Sequence, residues 1–295
     1  YTLEMRSMSP GSSWEAISDG LDPVSSSALG RIDPTLLPNG LYELRLTVRE
    51  LTGTSVISDP VSFVVNGGMK VGALSLAFED LSMPLSGVPV QVVRSYDSRD
   101  KLAGDFGVGW RLAINSMRLQ KNRPVGEGWI AKSEVVSRPI LGEVLRYTVE
   151  SERPNLVLIR MPDDTVEVFK ARTKQEYRDY VPLRDPVIVF EAFGDTQGTL
   201  EIVGENQTWI SSFGSPTNLE TEAFAFDLFD PTLFKYTTVD GTEFLIDEVQ
   251  GLRSVTDRNG NVLTIDESGV THSSGVGIVF TRDAEGRITA ITDPA

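Results

Sequence analysis

Chemistry in this chain must be sought among few residue types. His272 is the only histidine and there is no cysteine. A lone imidazole does not make the usual multi-histidine zinc or iron site. Without cysteine, thiolate nucleophiles, thiolate metal centres and disulfides are all excluded. A Ser-His-Asp triad would have to use His272, and no Gly-x-Ser-x-Gly turn is present to present the serine. His272 lies in the turn-rich run Gly269-Val270-Thr271-His272-Ser273-Ser274-Gly275, which reads as a solvated loop. Asp257-Arg258-Asn259-Gly260-Asn261 carries oxygen ligands at alternating positions, as calcium loops do. The spaced acid that closes an EF-hand loop is missing, and a hairpin turn accounts for the same residues. The 42 Asp and Glu residues supply many carboxylate pairs of the kind that hydrolyse glycosides, but no spacing selects one. Trp129 and Trp209 are candidate ligand-facing aromatics, since indole faces stack on sugars or protein partners. Asn206-Gln207-Thr208 fits the N-glycosylation pattern, which a bacterial chain leaves unused. No catalytic residue, cofactor site or metal site emerges, and an enzyme is not expected.

Bulk properties narrow the partners. A net charge of −15 repels phosphate backbones, so nucleic-acid binding is not expected. No apolar run is long enough for a membrane span, and no basic cluster suits an electrostatic anchor. The absence of cysteine favours a bacterial source. Tyr1 and Ala295 read as cuts in a longer polypeptide.

Strand signals dominate, giving an all-β expectation. Leu41 to Arg49 alternates apolar and polar residues after an Asn39-Gly40 turn. Residues 1–67 are expected to form a small Ig-like or fibronectin-like β-sandwich, short enough to read as truncated at its first strand. Gly67-Gly68 marks the boundary. Residues 68–250 read as successive antiparallel hairpins, such as Leu156–Phe169 around Pro162-Asp163-Asp164 and Phe234–Ile246 around Asp240-Gly241. Residues 251–295 carry an imperfect repeat. Val255-Thr256-Asp257 returns as Ile291-Thr292-Asp293, and Asn259-Gly260-Asn261-Val262 as Glu285-Gly286-Arg287-Ile288. Thr173 to Tyr180 and Glu222 to Phe229 are candidate short helices.

One block stands out: Val88-Pro89-Val90-Gln91-Val92-Val93-Arg94-Ser95-Tyr96-Asp97, followed by Gly104-Asp105-Phe106-Gly107-Val108-Gly109-Trp110-Arg111-Leu112. Arg94 and Tyr96 fall on one strand face. A buried Arg94 needs a carboxylate, for which Asp97 and Asp105 are the candidates. Gly107 and Gly109 let backbones approach closely, and Trp110 fills the space beside them. With Phe280-Thr281-Arg282-Asp283 onward, this block resembles the opening segment and first repeats of RHS/YD-repeat proteins. The match covers residues 68–112 well and 251–295 moderately. Phe280 replaces the usual Tyr, and Arg282 stands where an acid is common.

The resemblance implies stacked hairpins forming the start of a hollow β-shell, with Arg94, Tyr96, Asp97, Gly107, Gly109 and Trp110 as structural residues. It implies a secreted or cell-surface bacterial protein used in encapsulation, delivery or surface interaction. Partners would then be the remainder of its own parent chain, or a second copy. A carbohydrate- or protein-binding β module and a polysaccharide-acting hydrolase are the alternatives.

Overall fold

A computed structural model describes residues 1–9, 11–222 and 227–294. The chain is all-β, built from several antiparallel sheets. Among the described residues, the helical elements are two single turns, Pro34–Leu36 and Ala113–Ser116.

The first sheet contains β1 (Thr2–Ser7), β2 (Glu15–Asp19), β3 (Gly40–Arg49), β4 (Ser55–Ile57) and β5 (Val61–Val65). Its order is β2-β1-β3-β4, and β5 also pairs with β3. The second, opening sheet runs β6 (Ser75–Met83), β7 (Val90–Asp97), β10 (Trp110–Leu112), β9 (Gly107–Val108), β8 (Ala103–Gly104). The third, central sheet is β11 (Arg118–Lys121), β14 (Leu156–Arg160), β15 (Val166–Thr173), β17 (Ile188–Phe193). The fourth is β16 (Tyr177–Asp179), β13 (Gly142–Ser151), β12 (Trp129–Arg138), β19 (Gly214–Thr217). The fifth has eight strands: β18 (Thr199–Ile202), β20 (Leu233–Thr237), β21 (Glu243–Asp247), β22 (Gly251–Thr256), β23 (Val262–Asp266), β24 (Gly269–His272), β25 (Gly277–Arg282) and β26 (Ile288–Thr292). From β20 onward each strand pairs with its sequence neighbour, forming a meander.

The central sheet is apolar on both faces because both are covered. Leu156, Leu158, Val166 and Val168 pack with Leu41 of β3, while Val157, Ile159 and Phe169 pack with Phe234, Tyr236 and Ile246 of the meander. Adjacent residues of β14 therefore serve opposite layers, as the period of two requires. Residues 1–67 contribute one layer of a sandwich, and the central sheet is the other. Across the joint, Leu41 N donates to Gln120 Oε1 at 2.9 Å, and Asn39 Nδ2 donates to Asp164 O at 2.8 Å. Gly67 N donates to Asn39 Oδ1 at 3.0 Å. A Cβ on Gly67 or Gly68 would meet nothing within 4 Å, so sterics do not demand glycine at the expected boundary.

The Thr173–Tyr180 segment is not helical. Thr173 ends β15, and Tyr177–Asp179 pairs with β13. That strand is held at its end by Asp179, which binds Arg138 and Arg146. The second candidate helix includes residues 223–226, which lie outside the described residues.

One hairpin turn recurs through the chain. In Glu50–Thr54, Met161–Thr165, Thr238–Thr242, Asp257–Asn261, His272–Val276 and Asp283–Arg287 the first N–H donates to the fifth carbonyl. The fourth N–H donates to the first carbonyl, all at 2.8–3.0 Å. The fourth residue has positive φ and is Gly in five cases, Asp164 (φ +69°) in the sixth. This is the three-residue loop in which a left-handed residue closes a bulge. Asp283, rather than Asp293, is thus the counterpart of Asp257.

Turn aspartates add a second layer of bonds. Asp257 Oδ1 accepts from the Asn259 and Asn261 amides, each at 2.8 Å, and Asp283 Oδ1 accepts from Glu285 and Arg287 at 3.1 and 2.8 Å. The Asn261 side-chain amide chiefly lowers the Asp257 carboxyl below its ordinary 3.8, and the Arg287 amide does so for Asp283. Because these folded-state values are depressed, the bonds stabilise fully above the unfolded value and are lost as pH falls through the folded one. In a carboxyl-carbon NMR titration both groups are expected to titrate below 3.8, with the turn amides losing their folded shifts in the same window. Titration at ordinary values would contradict this account of the turns.

Candidate functional site

The distinctive block folds into the opening sheet. Trp110 pairs with Tyr96, and Leu112 with Arg94, in antiparallel register. Arg94, Tyr96 and Trp110 therefore share a face, together with Phe78. Ring centroids lie 5.1 Å apart for Tyr96–Trp110 and 6.0 Å for Phe78–Trp110. The Arg94 guanidinium sits 5.8 Å from the Phe106 ring and 5.9 Å from the Trp110 ring. Such stacking suits a planar, weakly hydrated cation.

Arg94 does not pair with Asp97 or Asp105. Its partner is Asp80, at 2.5 and 2.8 Å, which occupies the extra position of a bulge in β6 where Glu79 pairs with Val93 and Leu81 with Val92. Strand patterns do not reveal this partner, because a bulge moves a side chain off the alternation they follow. Arg94 is also partly exposed rather than buried. Asp97 instead pairs with Arg99 at 3.3 Å and Arg160 at 3.7 Å, and Arg160 reaches Asp164 at 2.6 Å. This ionic chain joins the opening sheet to the β14–β15 turn. Beside it, burial pushes the Arg118 guanidinium down to about 10.

The glycines differ in their reasons. Gly109 has φ +74°, and a Cβ there would stand 2.9 Å from Asp97 O. Gly107 needs only its φ of +123°, with open space around it. The tighter approach is at Gly104, where a Cβ would fall 2.2 Å from Trp110 O.

Three contacts bolt this block onto the meander. Asp105 O accepts from Ile288 N at 2.7 Å, while its carboxylate binds Arg282 at 3.3 Å and Leu112 N at 3.1 Å. Gly87 lies against the Asp257–Asn261 turn, where a Cβ would meet Asp257 Oδ2 at 2.0 Å. His272 supplies the third. It is buried, not a solvated loop residue, because β24 turns it inward. Its Nδ1 accepts from Ser274 N at 3.0 Å, which leaves the proton on Nε2 to be donated to Ser86 O at 3.2 Å. Arg282 finds its acid partner in Asp105.

Of the aromatic candidates, Trp129 is not a surface platform. Trp129 has no exposure and donates its Nε1 proton to Val125 O at 2.9 Å within the core shared with Val149, Ile188, Ile210 and Leu219. Trp209 is half-buried, and its backbone exchanges hydrogen bonds with Glu220 at 2.9 and 2.8 Å. Lys121 is a further buried polar group. Its Nζ binds Asp230 at 2.5 Å, Glu248 at 2.6 Å and Pro231 O at 3.2 Å, fixing β11 to the loops flanking β20 and β21.

A concavity of about 580 Å³ opens between the β14–β15 turn, residues 195–198 and the β20–β21 turn. It is lined by Thr165, Glu167, Asp195, Gln197, Tyr236 and Asp240 among others. The Tyr236 hydroxyl is raised well above the ordinary phenol range, first by burial and then by the nearby Glu167 carboxylate. Glu167 Oε2 is enclosed with no protein partner. The cleft can accept hydrogen bonds from a hydroxylated or amino ligand. No sequence pattern marks it, because its walls come from three segments that only packing brings together. Among the described residues, no group of three or more His, Cys, Asp or Glu side chains is arranged to hold a metal ion. No helix is long and apolar enough to cross a membrane among them.

Comparisons of the chain with protein-family models, with curated proteins and with solved structures find no match.

Proposed function

We propose that the chain is a structural, non-catalytic part of a secreted or cell-surface bacterial protein of the RHS/YD-repeat kind, forming the opening of a β-shell wall. The observation that carries this reading is the bolted meander. Strands β20 to β26 run in sequence order through repeated turns, and the Arg94–Trp110 block is clamped to them by Asp105, Gly87 and His272. Arg94, Tyr96, Asp97 and Trp110 each have a structural partner, which supports a wall rather than a reactive centre. Residues 1–67 would be a module docked on that wall. Its parts in encapsulation, delivery or surface contact belong to the assembled protein. Electron microscopy of the polypeptide encoded by the whole reading frame tests the reading. A hollow shell with these residues in its wall is the expected result, and a solid particle without a lumen would overturn it.

A second reading is a glycan- or protein-binding module. Its support is not Trp129 and Trp209 but the cleft with Glu167 and Tyr236. Glycan-array binding lost in Glu167→Gln would favour it, and a flat array would count against it.

A further inference from the structure

The opening sheet ends in an open edge. β6 pairs with β7 and, among the described residues, with no other strand. Its residues Ser75 to Asp80 are all exposed. Leu76 and Phe78 are 42% and 48% exposed, which is unusual for large apolar side chains on a long edge strand. They alternate with Ser75, Ala77 and Glu79, so the stretch presents one apolar and one polar, acidic side. Leu76 lies in register with Tyr96, and Phe78 stacks on Trp110, so an added strand would extend an existing apolar row. The bulge at Asp80 ends the regular edge, leaving Ser75–Glu79 as the straight part.

Charge selects the occupant. The strand carries Glu79 and Asp80 and no base, on a chain of net charge −15. A second copy would bring the same net charge of −15, and its β6 offers no base to meet Glu79. An extended segment with apolar residues on one side and Lys or Arg on the other satisfies both sides. We propose that the Ser75–Glu79 edge of β6 accepts such a basic-apolar strand from a separate polypeptide, added antiparallel outside β6. Backbone hydrogen bonds supply the attachment and side-chain alternation the selectivity.

The test uses the whole chain and a labelled nine-residue peptide of alternating valine and lysine. Anisotropy at peptide concentrations up to about 1 mM is expected to report saturable binding, with hydrogen-exchange protection on residues 75–79. Glu79→Lys should weaken that peptide on the order of fivefold and improve the valine–glutamate counterpart. Glu79 is exposed, so this variant should keep the parent circular dichroism spectrum. A valine–lysine peptide N-methylated throughout keeps its charge but cannot donate to an edge, and it should not bind. Binding by the methylated peptide, no binding by the parent peptide, or insensitivity to Glu79→Lys would each overturn the proposal. So would a dimer in sedimentation whose exchange protection falls on β6, which would make the occupant a second copy.

Discussion

Replacing Trp129 by alanine is expected to destabilise the chain by about 3–5 kcal/mol. The indole has no exposure and sits among Val149, Ile188, Ile210 and Leu219, so its removal leaves a cavity that several sheets and loops would have to collapse into. It also takes a donor from Val125 O, which accepts the Nε1 proton at 2.9 Å. Asn155 Nδ2 donates to the same carbonyl at 2.9 Å, so that atom keeps one partner and the cavity dominates the loss. Urea unfolding followed by far-ultraviolet circular dichroism measures this directly. A ligand-facing Trp129 would behave in the opposite way, with stability retained and binding lost. A change of less than about 1 kcal/mol would therefore restore the ligand-facing reading.

Lys121 gives the second large effect. Its side chain is 4% exposed, while Asp230 and Glu248 are 36% and 30% exposed. Lys121→Ala removes the cation and leaves two carboxylates facing each other across the gap. The usual cost of breaking a buried pair is about 3–5 kcal/mol, and partial exposure of both acids places the expected loss near the lower end. The triple variant Lys121→Met, Asp230→Asn, Glu248→Gln removes the charges without orphaning any and should recover most of that loss. The unfolding midpoints of the two variants make the comparison. Equal midpoints would mean that the loss comes from the missing ammonium bonds themselves and not from stranded carboxylates.

Much of the fold is legible in the sequence because β-structure announces itself locally. Alternation locates β3, and the Pro162-Asp163-Asp164 and Asp240-Gly241 turns locate two hairpins, since each rests on a few adjacent residues. Layering is not legible. Leu156 and Val157 are both apolar, and only the finished packing shows that one meets Leu41 and the other the meander. A search for the repeat at fixed spacing misaligns it, because the recurring unit is the turn, with strands of differing length between copies. In the distinctive block, the shared face of Arg94 and Tyr96 follows from strand period, but Asp80 is hidden by the bulge. His272 looks solvated because Gly and Ser flank it, and it is buried because Ser86 approaches from a strand turn 186 residues away in sequence. The three-residue spacing of Tyr177 and Tyr180 suggests a helix. The long-range pairing of β16 with β13 overrides that local pattern.

The central sheet, apolar on both sides, has a consequence for how the chain is made. Leu41 and Val64 are covered by residues of β14 and β15, and Asn39 waits for Asp164, 125 positions later in the chain. At about 5–20 residues per second, the ribosome delivers that partner about 6–25 seconds after Asn39 itself is made. The meander is the reverse case, because every strand from β21 onward meets its partner as soon as the preceding turn is complete. The first sheet is thus made with a surface that must be guarded, and the meander with one that closes as it is made. A chaperone or neighbouring segment would be needed for the first sheet rather than along the β-ladder.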